Sequence, residues 1–333
     1  MTVLPIWKQA LVLLALSAGV SPSAVAAPAD GSVKRFVAED ATPGGGKPDA
    51  ACLVLAVAMA FDADHVDVVD AEDCAVKVFA KNGTFVRAIG RKGRGPGEFS
   101  FPSGVSVFGG RLTVADKLNH RLQVLDAAGR HVRSFALPFA PDRVLVLAAD
   151  RRLVTRNASG RNGPEKMLYL FGGGGELLRE ELTARSTGDP VVDAFRNMFI
   201  VIPGAGGDFF VVWKSQDRSI LHYGRDGALV ERIPVDGRYA FRPFSLAVRG
   251  TRKALEAFCW ECAADRGRFY LLPPEDTDDG DLGPGHELFV LDGAGRLEAR
   301  IELPCRVVRL AVDGDRIYAV DRDSELRIFR IRR

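Results

Sequence analysis

Histidine is scarce in this chain, and its scarcity limits the chemistry that can be read from it. The five residues, His65, His120, His131, His222 and His286, stand far apart, and none forms the close pair that zinc ligation uses. No G-x-S-x-G elbow is present and no supporting Ser, His and Asp constellation accompanies one, so no serine-hydrolase centre is legible. Neither sign of charge prevails: 45 basic against 43 acidic residues leave a formal charge of +2, far from the basic footprint of a nucleic-acid binder. Cysteine is also sparse. Cys52, Cys74, Cys259, Cys262 and Cys305 allow at most two bridges within one chain, and their spacing does not pair them. Cys259-Trp260-Glu261-Cys262 has redox-motif spacing, but no β-α-β pattern surrounds it and no His follows Cys262. A local disulfide, or two unpaired strand cysteines, is expected there.

Turn-forming residues, by contrast, are plentiful: 35 Gly and 18 Pro mark a chain that reverses often, which favours short strands over long helices. The N-terminus reads as a secretory signal. Lys8 precedes an apolar run from Ala10 to Val20, and Ala24 and Ala26 supply the small residues of an A-x-A cleavage site. The run falls short of the roughly 20 residues a permanent span needs. Residues 1–26 are therefore expected to be removed, no stable membrane span should remain, and the mature chain should be periplasmic or secreted.

A four-part unit recurs through the rest. Its clearest copy starts at Phe101 to Val107, turns at Gly109-Gly110, and runs as Arg111 to Asp116. It then crosses Lys117-Leu118-Asn119 into His120 to Asp126, turns again at Ala128-Gly129, and closes with His131 to Phe135. Four short segments with alternating apolar positions, separated by turn residues, are an antiparallel meander. Decayed copies precede it (Cys52 to Ile89) and follow it (Arg143 to Leu182, Phe199 to Val235, Phe244 to Leu303 and Val307 to Ile331). The fifth copy is stretched by an insertion around residues 249–286. The sixth stops one strand short, and Ser32 to Ala38 reads as an alternating strand that could supply it. Repeats of about 40 residues with four strands each predict a single six-bladed β-propeller over residues 27–333, closed by the N-terminal strand completing the last blade.

The stretch Gly90-Arg91-Lys92-Gly93-Arg94-Gly95-Pro96-Gly97-Glu98-Phe99, with Pro102, Gly104, Val105, Asp116, Asn119, His120 and Arg121, resembles an NHL repeat. Its glycines suit a tight passage between blades where positive φ and close backbone approach are needed, with Phe99 and Pro102 packing there. The resemblance implies that Asp116 and Arg121 are architectural, and Asp70 and Asp321 fall at comparable positions. Similar propellers include RNA binders, but export and the even charge argue against nucleic acid here. Others are metal-dependent lactonases and lyases, which gives an alternative reading.

Function in such a fold gathers where loops surround the channel. The candidates there are Arg91, Lys92 and Arg94 between blades, Lys117, Asn119 and His120 in the second blade, Trp213 and Lys214 in the fourth, and Arg322 and Asp323 in the last. This mixed rim suits a protein, peptide or carbohydrate partner. A binding or scaffold module is expected, with no catalytic residue identified and no cofactor. Under the alternative, a hydrolase or lyase, Asp70, Asp116 and Asp321 would hold calcium or another divalent ion. The acidic run Glu275 to Asp281 departs from calcium-loop spacing and reads as a solvated loop, and Asn82-Gly83-Thr84 and Asn157-Ala158-Ser159 fit the glycosylation acceptor pattern.

Overall fold

A computed structural model of the chain describes residues 33–41, 49–158, 165–215, 217–239, 242–248, 251–276 and 282–332. The expected signal segment, Ser159 of the second acceptor triplet and residues 277–281 of the acidic run lie outside them.

Alternating apolar residues separated by glycine turns produce six meanders in chain order, preceded by an N-terminal strand, β1 (Val33–Ala41). The first blade is β2 (Ala56–Phe61), β3 (His65–Asp70), β4 (Ala75–Ala80) and β5 (Phe85–Ile89). The second is β6 (Pro102–Phe108), β7 (Arg111–Asp116), β8 (Arg121–Leu125) and β9 (His131–Ala136). The third is β10 (Arg143–Ala148), β11 (Arg151–Thr155), β12 (Lys166–Gly172) and β13 (Leu177–Thr183). A short helix, α1 (Pro190–Arg196), leads to the fourth blade: β14 (Phe199–Pro203), β15 (Phe209–Trp213), β16 (Ser219–Tyr223) and β17 (Leu229–Pro234). Asp189 caps α1 by accepting from the backbone N–H of Val191 and Val192, and Pro190 occupies its first turn.

The fifth blade differs from the expected layout. Phe244 lies in β18 (Arg242–Val248), which pairs only with β19 (Thr251–Ala257) as a separate hairpin. The blade itself opens with β20 (Glu261–Asp265) and β21 (Arg268–Leu272), both inside the stretch read as insertion. After a small hairpin, β22 (Pro274–Asp276) and β23 (Leu282–Pro284), it finishes with β24 (Glu287–Leu291) and β25 (Leu297–Glu302). The physical reason is that Cys262 and Ala263 of β20 and Phe269 to Leu272 of β21 are buried between neighbouring blades, which sequence spacing does not report. The sixth blade is β26 (Val307–Asp313), β27 (Arg316–Asp321) and β28 (Leu326–Ile331). Beside it, β1 runs antiparallel to β28, with Val37 opposite Ile331, and its first residues run parallel to β25, with Val33 opposite Ala299.

One hydrophobic core fills each of the six junctions. Val78 and Ile89 of the first blade meet Phe99, Val114 and Leu125 of the second. Leu122 and Leu137 then meet Val154 and Tyr169, and Leu153 and Met167 meet Phe209 and Trp213. Ile220 and Ile233 meet Phe269 and Leu291, and Tyr270 and Leu288 meet Val307 and Phe329. The last core joins Tyr318 and Val320 of the sixth blade to Val66, Val68 and Phe79 of the first, which closes the ring. The outer hairpin of each of the second to fifth blades leans on its predecessor through a turn glycine. At Gly295, with φ +79°, an added Cβ would lie 2.0 Å from the Pro234 carbonyl oxygen, so the close approach itself demands glycine. Gly90 plays the same part in the passage read from the sequence: φ is +92° and Phe99, fully buried, packs over it.

Among these interfaces sits one misfit. Asp67, in β3, is 2% exposed, and no donor among the described residues bonds to its carboxylate. Burial, assisted by the charge of Asp62, pushes its carboxyl up to about 6 against the opposing influence of His65 and Arg87. A raised acid pKa stabilises the fold fully below the unfolded value near 4, and that contribution is lost as pH rises through about 6. Asp67→Asn should therefore raise stability at pH 7.5, by on the order of 2 kcal/mol. The gain should vanish near pH 4. Parallel urea melts at the two pH values check this; an equal difference at both would refute it.

Candidate functional site

An antiparallel meander places the second-to-third-strand turn of every blade on the same face as the passage to the next blade. That face carries a set of polar contacts at the channel mouth, drawn from all six blades, the first through the Val57 carbonyl alone. Lys117, just after β7, donates to Asp142 Oδ1 at 3.0 Å, and Asn157 Nδ2 donates to the same oxygen at 3.1 Å. Arg143, the first residue of β10, donates through its NH1 to the Ser103 carbonyl of the second blade. Lys214, just after β15, donates to the Trp260 carbonyl oxygen at 2.6 Å and lies 5.6 Å from the centre of the Trp260 ring. Arg309, in β26, donates through Nε to the Val57 carbonyl at 2.7 Å and reaches Glu261 Oε2 at 3.4 Å.

Four cations thus face two carboxylates in an enclosure that water still reaches: the Arg309 side chain is 20% exposed. Burial pushes the Asp142 carboxyl up, but Arg143 and Lys117 outweigh it and hold the group below its ordinary value. Burial drives the Lys214 ammonium down, with Arg309 and Arg143 adding to the effect and Glu261 opposing it. Arg309 is also lowered by burial, with Glu261 opposing. Two cations lowered by burial, with like-charged neighbours adding to it, mark a place where positive charge is crowded and an incoming negative charge would be stabilised.

The expected site residues divide on inspection. Lys117 and Lys214 belong to the ring. Arg91 is 80% exposed on the outer part of the face and pairs with Glu98 at 2.8 Å, and Lys92 and Arg94 are exposed in the same loop. Asn119 is an internal brace, donating to Gly93 O at 2.9 Å and Asp116 Oδ2 at 2.8 Å. His120 is exposed, with left-handed backbone (φ 53°) closing a short turn. Arg322 and Asp323 lie in the last blade's turn, where the Asp323 N–H donates to Asp321. Trp213 has to be withdrawn from the rim. At 5% exposure it packs edge-on against Phe199 inside the junction of the third and fourth blades, because β15 extends through it with its side chain turned into that core.

Asp70, Asp116 and Asp321 each end the second strand of a blade and stay bound to their own blade. Asp70 accepts from the Val54 and Leu55 N–H groups and from Lys77 at 3.0 Å. Asp116 accepts from the Ser100 N–H and from Asn119, Arg121 and Gln123. Asp321 accepts from the Asp323 and Glu325 N–H groups and from Arg327 at 2.9 Å. Carboxylates saturated in this way and matched to their own cations do not fit a shared divalent ion. Among the described residues, no three His, Cys, Asp or Glu side chains converge as a metal set, and Cys259 and Cys262 of the C-x-x-C stretch form no disulfide.

The sequence reading missed Asp142, Arg143, Glu261 and Arg309. Their signal was a charged residue within or bordering an inner strand otherwise written in small and apolar residues. A separate cleft of about 720 Å³ opens at the opposite end of the molecule, between the fifth and sixth blades, lined by Arg266, Arg268, Asp313 and Tyr318 among others. Its mixed charges do not converge on a centre.

Residues 54–150 match a family described as a 6-bladed beta-propeller. No curated protein matches the sequence. Among solved structures, the chain is similar to a Bacteroides fragilis protein described as exported, with TM-score 0.56 and 12% identity over 91% of this chain and 96% of that one. It is also similar to the WD40 β-propeller domain of Doa1, with TM-score 0.51 and 13% identity over 88% and 96% of the two chains. Kuenenia stuttgartiensis hydrazine synthase gives TM-score 0.50 and 12% identity over 86% and 97%. At such identities the likeness is one of fold, and the fold is a six-bladed β-propeller.

The Asp locks belong to stability rather than to the ring. Lys77 is 1% exposed and faces the fully buried Asp70, so Lys77→Met should leave an uncompensated charge and destabilise by about 3 kcal/mol. Adding Asp70→Asn should recover part of that loss. Denaturant unfolding of the single and double variants reads both, and a double variant no more stable than the single would show that the pair is not the source.

Proposed function

We propose that the protein is an exported, NHL-like propeller that acts as a binding or scaffold module, receiving a protein, peptide or carbohydrate partner on the channel face. The observation that carries this reading is the polar ring of Lys117, Asp142, Arg143, Lys214, Glu261 and Arg309, assembled from distant points of the chain on one loop-bearing face. Crowding cations in a partly dry enclosure disfavours the free state and favours a state with a ligand bound. Four cations against two carboxylates make an enclosure suited to a partner bearing negative charge. Export is supported by the cleavable N-terminal pattern and by likeness to a protein described as exported; no helix among the described residues is long and apolar enough to cross a membrane. The NHL-like assignment rests on the Gly90 to Phe99 passage and the Asp116–Arg121 pair at 2.8 Å. A metal-dependent hydrolase or lyase draws no support from the placement of Asp70, Asp116 and Asp321.

Immobilised mature protein should retain a partner from the secreted or periplasmic fraction of its own cells. Charge reversal at the ring, Lys214→Glu, should abolish retention. Reversal at the other end, Arg266→Glu, should not. Equal behaviour of the two variants would remove the channel face from the reading. A stoichiometric ion in the purified protein, whose chelation lowers the melting temperature, would return the metal-dependent alternative.

A further inference from the structure

At the junction of the second and third blades, one aromatic ring carries two positive charges. The guanidinium carbon of Arg133, in β9, lies 4.6 Å from the centre of the Phe135 ring, and that of Arg152, in β11, lies 4.9 Å from the same centre. Arg152 is 5% exposed. The other buried cations among the described residues each meet a carboxylate, Lys77 with Asp70 at 3.0 Å and Arg300 with Glu287 at 3.6 Å. Arg152 meets none among the described residues. Its NH1 and NH2 rest on the Gly172 and Ala149 carbonyl oxygens at 3.3 and 3.4 Å, long for hydrogen bonds, beside the β12–β13 and β10–β11 turns. Arg133 is half-buried and makes no hydrogen bond among the described residues, and the Nε atoms of both arginines are shut off from water without an acceptor. Burial lowers the Arg152 guanidinium and Arg133 adds to the effect, while the exposed Asp150 and Glu176 oppose it from beyond ion-pair contact.

We propose that Arg133 and Arg152 hold a tetrahedral oxyanion, a phosphate or sulfate group, beside Phe135, at the end of these blades opposite the channel mouth. Three features select this chemistry. A ring contact fixes a guanidinium without consuming its N–H groups, so Phe135 gathers the two cations and leaves donors of both unspent. The two forks arrive from different blades. A carboxylate offers a single edge of two oxygens and fills one fork, whereas a tetrahedral oxyanion offers an edge to each. Finally, the charges that act here differ in their surroundings. Asp150 and Glu176 are exposed and screened by water, but the Arg152 charge is buried, so a doubly charged anion gains more from the arginines than it loses to the acids. Bound there, the anion bridges β9 to β11 and tightens one junction of the propeller. Free phosphate or sulfate and the same group carried on a larger molecule share this chemistry.

Thermal melts of the mature protein at pH 7.5 in sodium phosphate, sodium sulfate and sodium acetate, each against sodium chloride of equal ionic strength, test this. Phosphate and sulfate should raise the melting temperature along a saturating curve, by about 3 °C at ten times the half-saturating concentration, and acetate should not. Arg133→Gln should abolish the rise, and in chloride it should melt no lower than the unaltered protein, because it removes a repulsion. Arg133→Lys, which keeps the charge without the fork, should retain only part of the rise, and Arg152→Gln checks the loss independently from the other blade. A pair that serves only to pack the junction predicts the reverse, with Arg133→Gln melting lower in every salt, and that result would overturn the proposal. So would a rise that grows linearly with sulfate, as exclusion of the salt from the surface gives, one that survives in Arg133→Gln, or one that acetate matches. Methyl phosphate distinguishes the sources: half-saturation below that of inorganic phosphate supports a group carried on a larger molecule, and half-saturation above it supports the free ion. The site lies at the other end of the blades from the channel contacts, so these outcomes leave the binding reading to the Lys214→Glu test.

Discussion

Every part of this molecule depends on burial between neighbouring blades. A four-stranded meander of six-residue strands has two apolar faces and cannot hide either alone, so each sheet is stable only between two others. Six junction cores satisfy all twelve faces, the last joining Tyr318 and Val320 to Val66 and Val68 across the two ends of the repeat array. The constraint passes down to single residues. The outer hairpin turns must approach the preceding blade so closely that Gly129, Gly175, Gly227 and Gly295 leave almost no room for a side chain.

The blades are not equivalent, and the difference follows from how each anchors its second-to-third-strand turn. The sixth, first and second blades end the second strand with Asp321, Asp70 and Asp116, and two residues beyond the facing position of the third strand they place Arg327, Lys77 and Gln123. In the third blade the second strand ends in Thr155, whose hydroxyl accepts from the Arg143 N–H at 3.2 Å, and in the fourth and fifth it ends in Trp213 and Leu272, where apolar contacts replace the polar lock. That half of the ring carries the additions: α1 and the β18–β19 hairpin, which meet through Val192 and Leu255. The same half supplies Arg143, Lys214 and Glu261. Rigid turns on one side and elaborated turns on the other are the arrangement expected when a repeat scaffold supports a site that is not itself repeated.

The channel ring concentrates positive charge on a chain whose overall charge is close to balanced. Balanced charge keeps long-range attraction weak, so under the proposed binding role recognition at the mouth would rest on short hydrogen bonds in a partly dry enclosure, where each is stronger than on an open surface. The backbone carbonyls of Ser103, Val57 and Trp260 fix the three cations at known places before any ligand arrives. Pre-organisation of this kind lowers the entropy lost on binding.

Read alone, the sequence determined the architecture. The period of about 40 residues, the glycine turns and the alternating strands from Arg143 to Ala148 or Arg316 to Asp321 are local properties, and local properties are legible in a chain. It also separated Asp70, Asp116 and Asp321 as members of one structural class, since equivalent residues recurring in blades share one architectural task. It reached only two members of the ring, Lys117 and Lys214, because turn residues advertise themselves. Asp142, Arg143, Glu261 and Arg309 stayed hidden at strand starts and within strands, and Glu261 was masked further by a fifth blade whose inner strand no repeat pattern marked. Their meeting was decided by tertiary structure alone. Residues separated by up to 252 positions, as Arg309 is from Val57, come together only because closing the ring turns one end of every inner strand toward a common axis.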